Sequence, residues 1–153
     1  MPTNKTGVRF DPYMTYNFVV EIEGLITGGF TEVTGLESEI ELESYLEGGV
    51  NGYIHQFPRR TRYPNLVLTH GITDSDTLWH WYQAAMVGKI ELKNCTIMLR
   101  DRLENIAMHW NFKNAYPVKW VGPQFNASNA TAVAVERLEL LHQGIDKPSG
   151  KSS

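Results

Sequence analysis

The sequence predicts a mainly β protein, an antiparallel β-barrel or sandwich with one packed α-helix. Three observations carry that prediction. Apolar residues alternate with polar ones in several short segments, such as Tyr16 to Glu23. One segment, from about Thr73 to Met86, repeats its apolar residues at helical spacing. Glycine and proline punctuate the rest, with 13 Gly and 7 Pro in 153 residues.

Residues 1–12 are polar and aperiodic and read as a flexible arm, residues 13–145 as one β domain, and residues 146–153 as a disordered tail. Within the domain, Tyr16, Phe18, Val20 and Ile22 share one face of a first strand. Gly24 and Gly28-Gly29 interrupt it, and Phe30 to Val33 continue the sheet. The segment Glu37-Ser-Glu-Ile-Glu-Leu-Glu-Ser-Tyr-Leu-Glu47 places Glu39, Glu41 and Glu43 on one strand face, with Ile40, Leu42 and Leu46 on the other. Like charges in a row repel, so the acidic face should meet water or a partner.

Residues 48–64 read as a long loop with Gly48, Gly49, Gly52, Pro58 and Pro64. Its aromatics Tyr53, Phe57 and Tyr63 and its cations Arg59, Arg60 and Arg62 make it a candidate contact surface between copies of the chain. Leu66, Leu68 and His70 share a face of the next strand. The helix follows, capped by Thr73 with Asp74 and Asp76 at its positive end, and stopped at Gly88. Its apolar stripe is Leu78, Trp81, Tyr82, Ala85 and Met86. Cys95, Ile97 and Leu99 form a strand, Asp101 to Asn105 a turn, and Ile106, Met108, Trp110 and Phe112 the returning strand. Pro117, Gly122 and Pro123 should break the chain, leaving Trp120 in a loop as a contact residue. In the last strand, residues 130–142, apolar positions switch from odd to even, which predicts a bulge near Glu136-Arg137.

Little in this pattern points to catalysis. The single cysteine, Cys95, reads as a buried thiol and allows no intrachain disulfide. The five histidines are dispersed without metal-ligand spacing, and there is no phosphate-cradling glycine loop or Gly-X-Ser-X-Gly elbow. Glu39, Glu41 and Glu43 imitate a glycosidase carboxylate pair, but a solvated acidic face accounts for them. A net charge of −3 gives no general reason for nucleic-acid binding. No apolar run is long enough to span a bilayer, and the first residues lack a signal-peptide core. No cofactor, metal or catalytic residue is expected, and the chain is expected to be made in the cytoplasm.

Six segments in order resemble the tail tube proteins of contractile bacteriophages and of extracellular contractile injection systems. They are Tyr16-Asn-Phe-Val-Val-Glu-Ile-Glu-Gly24, Gly29-Phe-Thr-Glu-Val-Thr-Gly-Leu36, Tyr45-Leu-Glu-Gly-Gly49, Tyr63-Pro-Asn-Leu-Val-Leu-Thr-His-Gly71, Asn114-Ala-Tyr-Pro-Val-Lys-Trp-Val-Gly-Pro123 and Val135-Glu-Arg-Leu-Glu-Leu-Leu-His-Gln-Gly144. Single motifs here are weak; the ordered set is specific. His142-Gln143-Gly144 departs from the expected His-Glu-Gly without evident consequence.

The resemblance implies a β-barrel with a flanking helix, a homo-hexameric ring, and rings stacked into the inner tube of a contractile tail. The type VI secretion tube protein is a related architecture. It further implies sheath and baseplate or spike partners, effector or DNA cargo in the lumen, and a place in a phage tail or injection particle. A baseplate-proximal tube-initiator paralogue is the alternative within the family. A stand-alone β-sandwich glycan-binding module is the alternative outside it, and a small hydrolase a third. On the tube reading, Glu39, Glu41 and Glu43 would face the lumen or a neighbouring subunit, and the loop cations would meet an adjacent ring.

Overall fold

The computed structural model describes residues 3–4, 7–8, 11–45 and 55–146. Two short strands, β1 (Thr3–Asn4) and β2 (Gly7–Val8), pair with each other near the start of the chain. The body then runs β3 (Phe18–Ile22), β4 (Ile26–Thr27), β5 (Phe30–Thr34), β6 (Glu39–Tyr45), β7 (His55–Arg62) and β8 (Leu66–Gly71). The helix α1 (Thr77–Met86) comes next. It is followed by β9 (Lys93–Arg100), β10 (Ile106–Val121), β11 (Val135–Leu141) and β12 (Ile145–Asp146).

The fold is mainly β and antiparallel, with one packed helix. The main sheet has the order β4-β3-β9-β10-β11-β8-β5, with β12 also on β10. Among the described residues the sheet does not close into a barrel; β4 and β5 are its two ends. The long strand β10 makes the turn between its halves. Residues 106–115 pair with β9, and residues 116–121 pair with β11. Pro117 therefore does not break the chain. It is buried opposite Leu140 inside β10, where the register shifts before Lys119. A bulge tolerates the missing proline N–H that a regular central ladder would need.

Core residues come from both halves of the sheet and from the helix. They include Val20, Ile22, Cys95, Ile97 and Phe112 from one half, Leu66, Leu68, Leu138 and Leu140 from the other, and Leu78 and Trp81 from α1. Trp81 donates its indole N–H to the Glu91 carbonyl at 2.9 Å, so the ring is buried with its polar atom satisfied. Phe18, Leu99 and Trp110 are only half-buried.

The helix starts at Thr77, later than Thr73 or Asp74. The Thr73 hydroxyl instead accepts the Ser75 N–H at 3.2 Å, closing a local turn that competes with capping. Asp76 occupies the N-cap without a side-chain capping bond. The predicted stop holds: Gly88, at φ +84°, allows the Lys89 N–H to reach the Ala84 carbonyl at 2.9 Å.

Two further expectations are corrected. The β8–β11 ladder runs without interruption from Val135 opposite Gly71 to Leu140 opposite Leu66, so there is no bulge at Glu136-Arg137. The even residues face the core throughout, and two of them, Glu136 and His142, are buried polar groups that disguise the period. Residues 55–62 are a strand and not part of a long loop. Adjacent arginines and Pro58 hide its alternation, and the stretch 46–54 lies outside the described residues.

Candidate functional site

The strands β6 and β7 form a two-stranded sheet of their own, apart from the main one. Glu39 pairs with Arg62, Ile40 with Thr61, Leu42 with Pro58, Glu43 with Phe57 and Ser44 with Gln56. Between Ile40 and Leu42 the register shifts by one residue, so Arg59 and Arg60 both lie opposite Glu41. Pro58 adjoins this bulge, where a proline is tolerated.

The bulge brings the two charge rows together. Arg60 Nε donates to Glu41 Oε2 at 2.9 Å, and Arg59 Nε lies 3.9 Å from Glu43 Oε2. The acidic row is thus offset inside its own hairpin by the cations that follow it. The arginine side chains remain 82% and 61% exposed, so each pair contributes only about 0.2–1 kcal/mol. Their larger effect is to relieve the glutamate repulsion that the sequence alone displays.

The opposite face is apolar and open. Ile40 and Leu42 are each 56% exposed. A strand that alternates apolar and charged residues is expected to lay its apolar side on a core; among the described residues no core covers that side. Sequence reasoning identified the apolar face but not its exposure. The signal available was the glycine-bounded run of opposite charges, which marks a hairpin able to pair internally.

The remaining candidates divide by position. Glu39 and Arg62 are exposed cross-strand partners at the base of the hairpin. Phe57 is 44% exposed, opposite Glu43. Tyr63 is half-buried, its ring 5.6 Å from that of His142, and it belongs to the hairpin root. Tyr53 lies outside the described residues. Trp120, expected in a loop, lies within β10 near its end; its ring stands edge-on to Trp79 at 4.8 Å.

The root is cinched on both sides. Gly35, before β6, has φ +95° and lies so close to the Asn65 backbone that a Cβ would collide with it. Asn65 Nδ2, after β7, donates to Glu139 Oε1 at 2.9 Å.

A second surface lies on the outer face of β3, β9, β10 and β12. Glu21, Thr96, Asn111 and Asp146 form a row across these strands, with Thr96 Oγ1 donating to Asn111 Oδ1 at 2.7 Å. Together with Glu23, Asn94 and Lys113 they line a polar groove of about 380 Å³. Cys95 on the core side is inert: burial pushes its thiol up to about 12. Among the described residues, no three His, Cys, Asp or Glu side chains are grouped to hold a metal ion. Among them also, no helix is long and apolar enough to cross a membrane.

The six sequence segments imply a β-barrel with a flanking helix; the described residues form an antiparallel sheet with one packed helix and a separate two-stranded sheet. A family model described as T4-like virus tail tube protein gp19 matches residues 14–146. The chain belongs to this tail tube family. Its family is one of structural tube proteins. Among curated protein sequences nothing matches the chain.

Solved structures share its fold. The tube-terminating cap structure of the anti-feeding prophage (AFP) contains a chain with a TM-score of 0.83 and 24% identity, covering 95% of this tail tube protein and 96% of that chain. The sheath-tube complex of PVC, an extracellular contractile injection system, in its extended state contains one with a TM-score of 0.80 and 24% identity, covering 90% and 92%. Hcp1 from Flavobacterium johnsoniae is more distant, with a TM-score of 0.55 and 19% identity over 88% of this chain and 97% of that one.

Proposed function

We propose that this tail tube protein is a structural subunit of the inner tube of a contractile tail or injection particle, and that it acts by assembly and not by catalysis. Copies join into hexameric rings, and the rings stack into a hollow conduit. The observation that carries this reading is the β6–β7 hairpin, which stands as its own sheet with Ile40 and Leu42 exposed. A water-exposed apolar strand face of this kind gains most by docking on another copy.

Ring closure fits the two open ends of the main sheet. Among the described residues β4 and β5 each present an unpaired edge, and edges of neighbouring copies can hydrogen-bond head to tail around a rotation axis. Stacking falls to the hairpin, with Phe57, Arg59, Arg60 and Arg62 at its surface. Glu39, Glu41 and Glu43 serve the register of that contact, since arginines already offset two of them. The polar row from Glu21 to Asp146 suits a water-filled conduit wall. A sheath outside the tube, a baseplate or spike at its end, and effector or DNA cargo within complete the particle, which is assembled in the cytoplasm.

Electron microscopy tests this reading. Replacing residues 40–61 with a short Gly-Ser linker should leave a folded subunit that forms no stacked tubes. Normal tubes from that variant would refute the stacking role.

A further inference from the structure

A groove of about 320 Å³ lies between the segment that precedes β3 and the turn from β9 to β10. Tyr13, Met14, Tyr16 and Leu103 give it an apolar lining, and all four are exposed, Leu103 at 81%. Arg100, Arg102 and Asp11 supply its polar rim. The two walls are tied to each other. Asn17 Nδ2 donates to the Asp101 carbonyl at 2.9 Å, and Arg100 Nε donates to Asn17 Oδ1 at 3.1 Å. Asp101 turns its own carboxylate into the turn, where it accepts the N–H groups of Leu103 and Asn105 at 2.9 and 3.0 Å. The groove is therefore preformed, and a guest does not have to order its walls.

Groove and hairpin sit at opposite ends of the β9–β10 ladder. The hairpin root reaches Phe112 through His142, whose Nε2 stands 3.1 Å from the Pro64 carbonyl oxygen and whose ring packs on Tyr63 and Phe112. The groove lies at Arg100, which pairs with Ile106. Residues 106 and 112 are six apart on β10, a separation of about 20 Å. The hairpin leaves its own groove unfilled, since Ile40, Leu42 and Leu103 are all exposed.

We propose that this groove receives the β6–β7 hairpin of a second copy of the chain, with Ile40 and Leu42 laid against its apolar lining. The proposal rests on the reading of the hairpin as the stacking element. A donor and a receptor at opposite ends of one chain make a head-to-tail contact that repeats along an axis, whereas hairpin on hairpin would be isologous and stop at a pair. The charges agree. Strand β6 carries three glutamates and no cation, and among the described residues Glu39 has no ion-pair partner. Arg102 on the groove rim likewise has none among them. The two opposite charges orient the docking and fix its register. A groove of this size takes only a few side chains, short of the roughly 1,200 Å² that a stable pair of proteins buries. One contact therefore holds weakly, and a ring that offers several at once holds by their combination.

Thiol chemistry on the full chain tests the proposal, because the native Cys95 is buried and stays silent. The thiol of Leu103→Cys should react readily with a maleimide in the isolated subunit and about tenfold more slowly in assembled tubes. Equal reactivity in both states, or a thiol already shielded in the subunit by its own chain, would overturn the proposal. In tubes, Leu42→Cys combined with Leu103→Cys should cross-link with a short bismaleimide into a ladder of linked subunits, and neither single variant should. Cross-linking by Leu42→Cys alone would overturn it. So would a ladder with Leu92→Cys, exposed at the other end of β9, in place of Leu103→Cys. If the cysteine pair does not assemble, charge exchange decides: Glu39→Arg and Arg102→Glu should each shorten the tubes, and their combination should restore them. No restoration would overturn the proposal. Hairpin replacement, scored by microscopy, judges the stacking role separately. Tubes that need the hairpin but give no ladder from Leu42→Cys and Leu103→Cys refute the groove alone.

Discussion

Trp120 donates its indole N–H to the buried carboxylate of Glu136 at 2.9 Å. The other oxygen of Glu136 lies 3.5 Å from His70 Nδ1. His70 in turn packs on Phe30, with ring centroids 5.0 Å apart. Phe30, His70 and Glu136 are register partners across β5, β8 and β11, so one end of the core finishes in a polar row. Through Trp120 and Trp79 this row also reaches α1. A single residue in the helix-to-sheet seam thus satisfies a carboxylate two strands in from the edge strand β5.

Replacing Trp120 with Phe keeps most of the ring and removes the donor. The carboxylate is then left with less than its hydrogen-bonding need, and the fold should lose about 1–3 kcal/mol. Glu136→Gln, which can still accept the indole N–H, should cost less. Urea denaturation of both variants checks the order, and an unchanged midpoint for Trp120→Phe would refute the assignment.

Phe112 is fully buried, whereas Trp110 is only half-buried. Phe112→Ala should therefore cost about 3–5 kcal/mol, and Trp110→Ala less despite its larger side chain. Calorimetric melting of the two variants gives the ranking; the reverse order would contradict the core described above.

Gly35→Ala meets two obstacles, a positive φ and the Asn65 backbone. We expect a loss of more than about 1 kcal/mol and a disturbed hairpin. Full stability in this variant would show that the root is not cinched as described.

Ile40→Ser combined with Leu42→Ser should leave the isolated subunit within about 0.5 kcal/mol of wild type, because neither side chain is in the core. Tube formation should fail. Tubes of normal length, counted in micrographs, would exclude these residues from the contact.

Cys95 supplies a pH prediction with a definite sign. Its thiol rises from 9.0 to about 12 on burial, so between these values the folded protein holds a proton that the unfolded chain releases. The thiol's contribution is complete below pH 9.0 and is lost as pH rises, by up to about 1.4 kcal/mol per unit. Cys95→Ala should show a shallower alkaline decline than wild type. Identical slopes would rule this source out.

Much of the fold was legible in local pattern. Alternation located β3, β5, β6, β8 and β9, and helical spacing with Gly88 located α1 and its end. Those signals are local because side-chain direction follows backbone geometry over a few residues. The failures have two causes. Residues 55–62, Pro117 and the parity of β11 were misread because a bulge accommodates a proline, and because buried Glu136 and His142 occupy positions that pattern assigns to apolar residues.

The sequence by itself determined the β class, the single helix, the inert thiol and the ordered motifs that marked the tail tube family. Only the tertiary structure decided what each face meets. Glu41 and Glu43 are offset by arginines a hairpin away, Ile40 and Leu42 stand exposed, and His142 binds the root from far along the chain. The reason is physical: periodicity sorts side chains onto two faces of an element, but burial and pairing depend on which distant segment lies against each face.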